Sequence, residues 1–142
     1  MAIIREAKEA DLDNINTILR KNRQVDDVEK NDILDFVVAE LGDKIVGCGM
    51  LKEHEKGVEI SKVSVLPDHQ GKGLGMEITM SLLGRAKGRK CWLTSVHTHG
   101  FWELFGFHIV PEREAPREMM DYCRRCKQQR ECDRVVMYRE GD

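Results

Sequence analysis

Residues 58–75, VEISKVSVLPDHQGKGLG, decide the fold of this chain. The first half of this stretch is strand-like, but its alternation breaks. Val58 and Ile60 carry apolar side chains on one parity, whereas Val63 and Val65 carry them on the other. A strand cannot keep one face buried across such a change without an extra residue. We therefore expect either a β-bulge between Ile60 and Val63, which would splay the strand, or a strand that is covered on both faces.

The second half of the stretch is a glycine-rich loop that leads into an apolar helical pattern. Glycines at positions 71, 73 and 75 allow close backbone approach, and amides at a helix N-terminus favour an anion. The spacing excludes the P-loop, because Gly73 is followed by Leu74 and Gly75 instead of Lys and Ser or Thr. It also excludes the dinucleotide fingerprint, whose sixth position is occupied here by Met76. A pyrophosphate is the natural ligand, and a flexible turn is the alternative.

Apolar periodicity predicts elements on both sides of this stretch. Glycine followed by Asp at 42–43 is typical of a type II′ hairpin turn. The order of elements predicts an α/β fold with a mixed, mostly antiparallel sheet flanked by helices. Strands are expected at 2–4, 36–41, 44–51, 58–66, 91–96, 107–110 and 135–138, and helices at about 11–19, 71–87 and 101–105, with one more from Pro116.

Length and charge narrow the class of protein. The 142 residues fit one domain, with 112–134 as a Cys- and Arg-rich extension. The 23 Lys and Arg residues are nearly balanced by 25 Asp and Glu residues, which argues against nucleic acid as a partner. No apolar run approaches the ~20 residues that cross a bilayer, and the first ten residues lack a signal-peptide core. A cytoplasmic protein without a membrane partner is expected.

Two motifs together resemble the GNAT (Gcn5-related N-acetyltransferase) superfamily. Gln70, Gly73 and Gly75 match its acetyl-CoA signature, Q/R-x-x-G-x-G/A, and residues 101–107, FWELFGF, look like its F-Y-x-x-x-G-F segment. The resemblance covers residues 1–110 and implies a GNAT-like sheet with a splayed central strand, an N-acetyltransferase activity, and acetyl-CoA as co-substrate. The segment CWLTS before the aromatic motif is similar to short amino-acid N-acetyltransferases of the N-acetylglutamate synthase type.

The resemblance also implies how acetyl-CoA is held. The splayed strand would pair with the pantetheine arm through its backbone, and the Val63 amide would point at the thioester oxygen. The loop amides would hold the pyrophosphate. The cofactor-binding residues implied in this way are Val63, Ser64, Val65, Gln70, Gly71, Lys72, Gly73, Leu74 and Gly75.

Glu59 is the expected general base, in a direct attack of an amine on the thioester within a ternary complex. It lies just before the expected bulge, where family members often hold a glutamate. A surface glutamate on a half-exposed strand is the alternative. His97 and His99 are the second choices, because histidine titrates near neutrality and both precede the aromatic segment.

No general acid is assigned. Many relatives use the tyrosine of the aromatic motif to protonate the leaving thiolate, but this chain has Trp102 there. An indole N–H donates a hydrogen bond and is not a useful proton donor at neutral pH. The two tyrosines of the chain, Tyr122 and Tyr138, lie outside the motif.

The acceptor is expected to be a small primary amine, in particular the α-amino group of an amino acid. Arg5, Arg20, Lys21 and Arg23 are candidates for binding its carboxylate. A protein lysine or N-terminal acetyltransferase is one alternative, and a non-catalytic acyl-CoA-binding sensor is another. A homodimer is left open.

Three cysteines are clustered near the C-terminus. Cys123 and Cys126 have the spacing of half a tetrahedral zinc site, and Cys132 follows them; Cys91, Cys48 or a histidine would have to complete it. Reduced thiols in an Arg-rich segment are the alternative, and no metal ligand is included in the expected active site.

Overall fold

The computed structural model describes residues 1–23, 28–96, 98–125 and 134–141, with side chains as far as 121 and again from 134. No helix in these ranges is long and apolar enough to cross a membrane. The strands are β1 (Ile3–Glu6), β2 (Phe36–Leu41), β3 (Lys44–His54), β4 (Gly57–Val65), β5 (Cys91–Ser95), β6 (His108–Val110) and β7 (Val135–Arg139), and the helices are α1 (Leu12–Lys21), α2 (Leu74–Ala86), α3 (His99–Glu103) and α4 (Arg117–Arg125).

The boundaries follow the sequence pattern closely, except at the end of β3, which extends three residues beyond its prediction to His54, and at the start of α2. Helix α2 begins at Leu74, three residues later than predicted, because Gly71 and Gly73 have φ of +80° and +85° and cannot continue a right-handed helix. The hairpin between β2 and β3 has φ of +63° at Gly42, as the first central residue of a type II′ turn requires.

One sheet contains all seven strands, in the order β1-β2-β3-β4-β5-β7-β6. The pairs β1–β2, β2–β3, β5–β7 and β6–β7 are antiparallel, and β4–β5 is parallel. This arrangement confirms the predicted mixed, mostly antiparallel sheet flanked by helices.

Internal contacts divide the chain into two compact units. The first comprises Met1–Leu51 and Lys62–Arg85, and the second comprises Lys52–Ser61 and Ala86–Asp142. Strands β3 and β4 each contribute residues to both units. The organisation as one domain over 1–142 stays a prediction.

In the first unit, α2 packs directly onto the backbone of β3. A Cβ added at Gly49 would lie 2.7 Å from Ile78 Cγ2 and 3.0 Å from Leu82 Cδ1, so only glycine permits this approach. The buried residues Ile78 and Leu82 are four apart on one face of α2. Val63 also contacts this region, 3.3 Å from the same added Cβ. The packing therefore fixes the start of α2, and the glycine loop before it, relative to the second half of β4.

In the second unit, α4 covers one face of the strands. Met119 and Met120 of α4 pack with Trp92 and Val136 in a buried cluster, and Tyr138 lies at its edge. The Trp92 and Tyr138 rings have centroids 4.5 Å apart. Burial of these large side chains holds α4 against the sheet.

Candidate active site

Strand β4 leaves regular strand geometry at Lys62. This residue has φ of +55°, in the left-handed region that residues other than glycine rarely adopt. Val58 and Ile60 are buried before the break, and Ser64 and Val65 are buried after it. The irregularity lies where the break in alternation predicts a bulge, and Val63 is only half-buried.

The pairing of β4 with β5 is short. The register joins Val58 to Cys91 and Glu59 to Trp92, and it goes no further. This limited pairing is the splayed central strand that the resemblance implies.

Beyond the break, Leu66 N–H donates to Val46 O of β3 at 2.8 Å. Backbone groups of alternate residues point to opposite edges of a strand. Val63 and Val65 therefore direct their N–H and C=O groups away from β3, as pairing with a pantetheine arm would require.

The Val65 carbonyl is already engaged by two side-chain amides. It accepts hydrogen bonds from Asn22 Nδ2 at 2.8 Å and from Gln70 Nε2 at 3.0 Å. Asn22 Nδ2 also bonds to Ser64 Oγ, and its Oδ1 accepts from Gln70 Nε2 at 3.3 Å. The side chain of the signature glutamine thus ties the loop to the end of β4. Of the Val65 backbone groups, only the N–H is left for a ligand.

The glycine loop is open on its outer side. A Cβ at Gly71 or Gly73 would meet no atom within 4 Å, so these glycines are required by their positive φ. Lys72 is exposed between them, whereas the Leu74 side chain is buried and offers only its amide. The first unit therefore brings the expected cofactor-binding residues together in one continuous segment.

Glu59 has a defined environment in the second unit. Its Oε1 lies 2.7 Å from His54 Nε2, and the side chains are 15% and 2% exposed, respectively. On the other side of the imidazole, Nδ1 lies 3.7 Å from Glu118 Oε2 of α4. Because Glu59 and Trp92 are paired in register, their side chains share one face of the sheet.

Trp102 belongs to a polar cluster around the start of α3. It is largely buried, and its Nε1 donates to Thr98 Oγ1 at 3.1 Å. Ser95 Oγ lies 3.2 Å from the Thr98 hydroxyl and 2.9 Å from His99 Nδ1. The indole is therefore held by a hydrogen bond within the protein, and His99 is oriented by Ser95.

Tyr138 is a poor general acid at neutral pH. The Tyr138 hydroxyl donates to Glu140 Oε2 at 2.7 Å, and burial, followed by this bond, raises the pKa of Tyr138 to about 12. The side chain of Tyr122 lies outside the described residues, and so does the whole of His97, which was a second choice for the base.

An open pocket of about 790 Å³ lies in the second unit, beside Trp92. Trp92 Nε1 is a buried donor for which the described residues supply no acceptor. The pocket has aromatic walls and charges of both signs, and is lined by Lys56, Lys90, Trp92, Arg113, Glu114, Tyr138 and Glu140.

The cationic residues that were expected to bind the carboxylate of the substrate belong to the first unit. Arg5 bonds to Asp11 at 2.8 Å and to Glu40 at 3.3 Å, and these bonds raise its pKa. Arg5 is thus engaged by carboxylates of the protein itself, and its binding of a substrate carboxylate stays a prediction. Arg20 also has a partner within the protein, while Lys21 and Arg23 are exposed.

The zinc hypothesis stays a prediction. Cys126 and Cys132 lie outside the described residues, as does the Cys123 side chain. Cys48 and Cys91 are buried, and their thiols contact the carbonyls of Lys62 and Arg89, each at 3.5 Å. Among the side chains that the structure describes, no group of three potential ligands is placed to hold a metal ion.

The sequence of the chain matches the model of a known protein family. The model of the acetyltransferase (GNAT) family matches residues 3–107, well over half of the chain. The chain belongs to the GNAT family. This is a family of N-acetyltransferases that use acetyl-CoA, so the enzyme class and co-substrate predicted from the sequence are confirmed at the level of the family. No curated protein matches the chain in sequence.

Solved GNAT structures share the whole fold at low identity. N-acetylglutamate synthase from Neisseria gonorrhoeae, complexed with coenzyme A and N-acetyl-glutamate, is 21% identical with a TM-score of 0.85; the match covers 100% of this chain and 35% of that one. This chain therefore spans about a third of the length of that synthase. Rv2747 from Mycobacterium tuberculosis, in complex with CoA, is 21% identical with a TM-score of 0.78, and the match covers 97% of this chain and 98% of that one.

Three residues that contact the candidate site residues within their own units were missed in the sequence. Asn22 ends a helix, His54 ends a strand, and Glu118 lies beyond the matched residues. Each acts through a partner distant in sequence, so no local motif marks it. His54 follows Lys52 and Glu53 at the polar end of β3, so the alternation of apolar residues gives no signal for it.

Proposed function

We propose that this chain transfers an acetyl group from acetyl-CoA to the α-amino group of an amino acid, with Glu59 as general base. The observation that carries the proposal is the setting of the Glu59 carboxylate. It lies three residues before the break in β4, is mostly withdrawn from solvent, and is held by His54 at 2.7 Å. A solvated surface glutamate would have neither the burial nor the buried partner. Such placement is typical of a group that moves a proton.

The first unit supports the co-substrate half of the reaction. Val63 N–H would donate to the thioester oxygen and stabilise the oxyanion that forms there. The amides from Gln70 to Gly75, with the exposed Lys72, would hold the pyrophosphate at the start of α2. The bonds from Asn22 and Gln70 to Val65 would keep this segment in place before the ligand arrives.

The chemistry then needs one proton acceptor. Glu59 takes a proton from the ammonium group, and the free amine attacks the thioester carbon. The new C–N bond forms, and the nitrogen of the tetrahedral intermediate gives its second proton to water. The intermediate then collapses, and the C–S bond breaks to release the CoA thiolate. Water protonates the thiolate, because the Trp102 indole is bonded to Thr98 and is not an acid at neutral pH.

The acceptor half is supported by the pocket next to Trp92. Lys56, Lys90 and Arg113 line it and would attract the carboxylate of an amino acid, while Glu114 and Glu140 limit the net positive charge. The structurally similar N-acetylglutamate synthase is complexed with an N-acetylated amino acid, which favours the same class of acceptor here.

The experiment is to measure CoA release with amino acids, their carboxamides, polyamines and peptides. We expect turnover with amino acids and a higher KM for the carboxamides, since these lack the carboxylate. Turnover with peptides alone would indicate a protein acetyltransferase. Acetyl-CoA binding without turnover of any amine would indicate a sensor.

The role of Glu59 is tested by Glu59→Gln, with Glu55→Gln on the exposed turn as a matched control. We expect kcat at pH 7 to fall by about 100-fold or more, the lower end of general base catalysis. The deficit should shrink at pH 9, because a free α-amino group, with a pKa of about 8, is then mostly neutral. An unchanged kcat at pH 7 would remove Glu59 from the mechanism.

A further inference from the structure

His54 lies between two carboxylates. It is almost completely buried on β3, with Nε2 at 2.7 Å from Glu59 and Nδ1 at 3.7 Å from Glu118. Glu118 is 59% exposed and belongs to α4, which lies beyond residues 3–107 that match the GNAT family. The chain thus adds its own residue to the surroundings of the proposed base.

We infer that His54 is the positioning residue of Glu59, and that Glu118 sets whether His54 carries a charge. This inference rests on the proposed function, in which Glu59 removes a proton from the acceptor. The charged groups that face the imidazole within the described residues are Glu59 of β4 and Glu118 of α4, and Lys52 shares its face two residues along β3.

The two charge states of His54 act differently on Glu59. Neutral His54 with its proton on Nε2 donates to Oε1, which fixes the carboxylate and leaves Oε2 for the ammonium group. Protonated His54 adds a positive charge at 2.7 Å, which stabilises the carboxylate and makes it a weaker base. Low exposure reduces the screening of this effect. The rate should therefore rise as His54 loses its proton.

Glu118 opposes that loss, because its negative charge faces the other nitrogen and favours the imidazolium. Its removal should let His54 become neutral at lower pH. A merely structural Glu118 would change stability and leave the pH dependence of the rate as it was.

The variants His54→Gln and His54→Leu distinguish the positioning of Glu59 by a hydrogen bond from the packing of the His54 side chain. Glutamine can place an amide N–H where Nε2 lies, so we expect His54→Gln to keep kcat within about threefold and to lose the acid limb that His54 causes. His54→Leu removes the donor, and kcat should fall about 10- to 100-fold, the range of a hydrogen bond to a charged group, with an unchanged KM for acetyl-CoA. Equal kcat for His54→Leu and the unchanged protein would overturn the inference.

Glu118→Gln should shift the acid limb of the kcat profile to lower pH, while Glu55→Gln should leave it in place. An acid limb that does not move in Glu118→Gln contradicts the role of Glu118. Thermal unfolding and acetyl-CoA binding show whether each variant is folded.

A readout without substrate distinguishes this inference from the proposed function. Nuclear magnetic resonance of ¹⁵N-labelled histidine follows the titration of His54 in the free enzyme. The midpoint should move to lower pH in Glu118→Gln, and an unmoved midpoint refutes the inference whether or not an acceptor is turned over. If the unchanged protein turns over no amine, the proposed function fails on its own.

Discussion

Replacing Asn22 by alanine should lower both the free energy of unfolding and the affinity for acetyl-CoA. No sequence motif marks Asn22 as a site residue. The substitution removes the donors to Val65 O and Ser64 Oγ and the acceptor for Gln70. A net hydrogen bond is worth about 0.5–1.5 kcal/mol. Because Asn22 is half-buried and water can replace part of the loss, we expect the free energy of unfolding to fall by about 1–2 kcal/mol, within the range for loss of a bonded network.

Urea denaturation measures this change. With an m-value of about 1–3 kcal/mol/M, the midpoint should fall by about 0.3–2 M. Asn14→Ala is the matched control, since Asn14 is exposed on the same helix, and it should be neutral or slightly stabilising. The affinity for acetyl-CoA, measured by calorimetry, should fall about tenfold if ordering the end of β4 costs about 1.4 kcal/mol.

The same residues allow a stricter test. Asn22 and Gln70 share the Val65 carbonyl, so a double-mutant cycle with Gln70→Ala should give a coupling free energy of about 0.5 kcal/mol or more. Additivity of the two changes within about 0.3 kcal/mol would show that the amides do not act as one network. An unfolding free energy unchanged in Asn22→Ala would refute the reasoning altogether.

Three further predictions concern the loop and two buried groups. Gly73→Val should abolish acetyl-CoA binding as measured by calorimetry. A φ of +85° costs a β-branched residue about 1–2 kcal/mol, so the loop would adopt another conformation. As a control, the Gly84→Ala variant in α2 should bind acetyl-CoA normally. The hydrogen bond from Arg5 holds the pKa of Asp11 below its usual value, so its contribution is present at neutral pH and is lost progressively as the pH falls from about 4 through the lowered pKa. The Tm of Asp11→Asn should be lower than that of the unchanged protein at pH 7, and the gap should narrow as the pH falls below about 4. Burial raises the pKa of Cys48 to about 12, so mass spectrometry should find it unmodified by iodoacetamide at pH 8 in the native protein and modified in urea.

Much of the fold could be predicted because its causes are local. The alternation of apolar and polar side chains locates the strands. The glycines at 71 and 73 mark the loop that precedes α2. The break in β4 was visible as a change of parity, and Lys62 has the unusual φ that such a change requires. These features depend on neighbours within a few residues.

The partners of the site residues could not be predicted in the same way. Asn22 bonds to Val65, 43 residues away, and His54 contacts Glu118, 64 residues away. Such pairs form only when the sheet places distant elements side by side. The bond from Arg5 to Glu40 is another such pair, because Glu40 lies on the neighbouring strand.

One of the sequence boundaries between the compact units falls inside β4, between Ser61 and Lys62. Every residue proposed to hold acetyl-CoA follows that boundary, from Val63 to Gly75, whereas Glu59 and His54 precede it and Glu118 is in the same unit as they are. Substitutions that change which amine is used can therefore accumulate in one compact unit while the other keeps its ligand. A chimaera that exchanges residues 52–61 and 86–142 together, with junctions at 51–52, 61–62 and 85–86, would exchange acceptor preference among relatives that share this co-substrate.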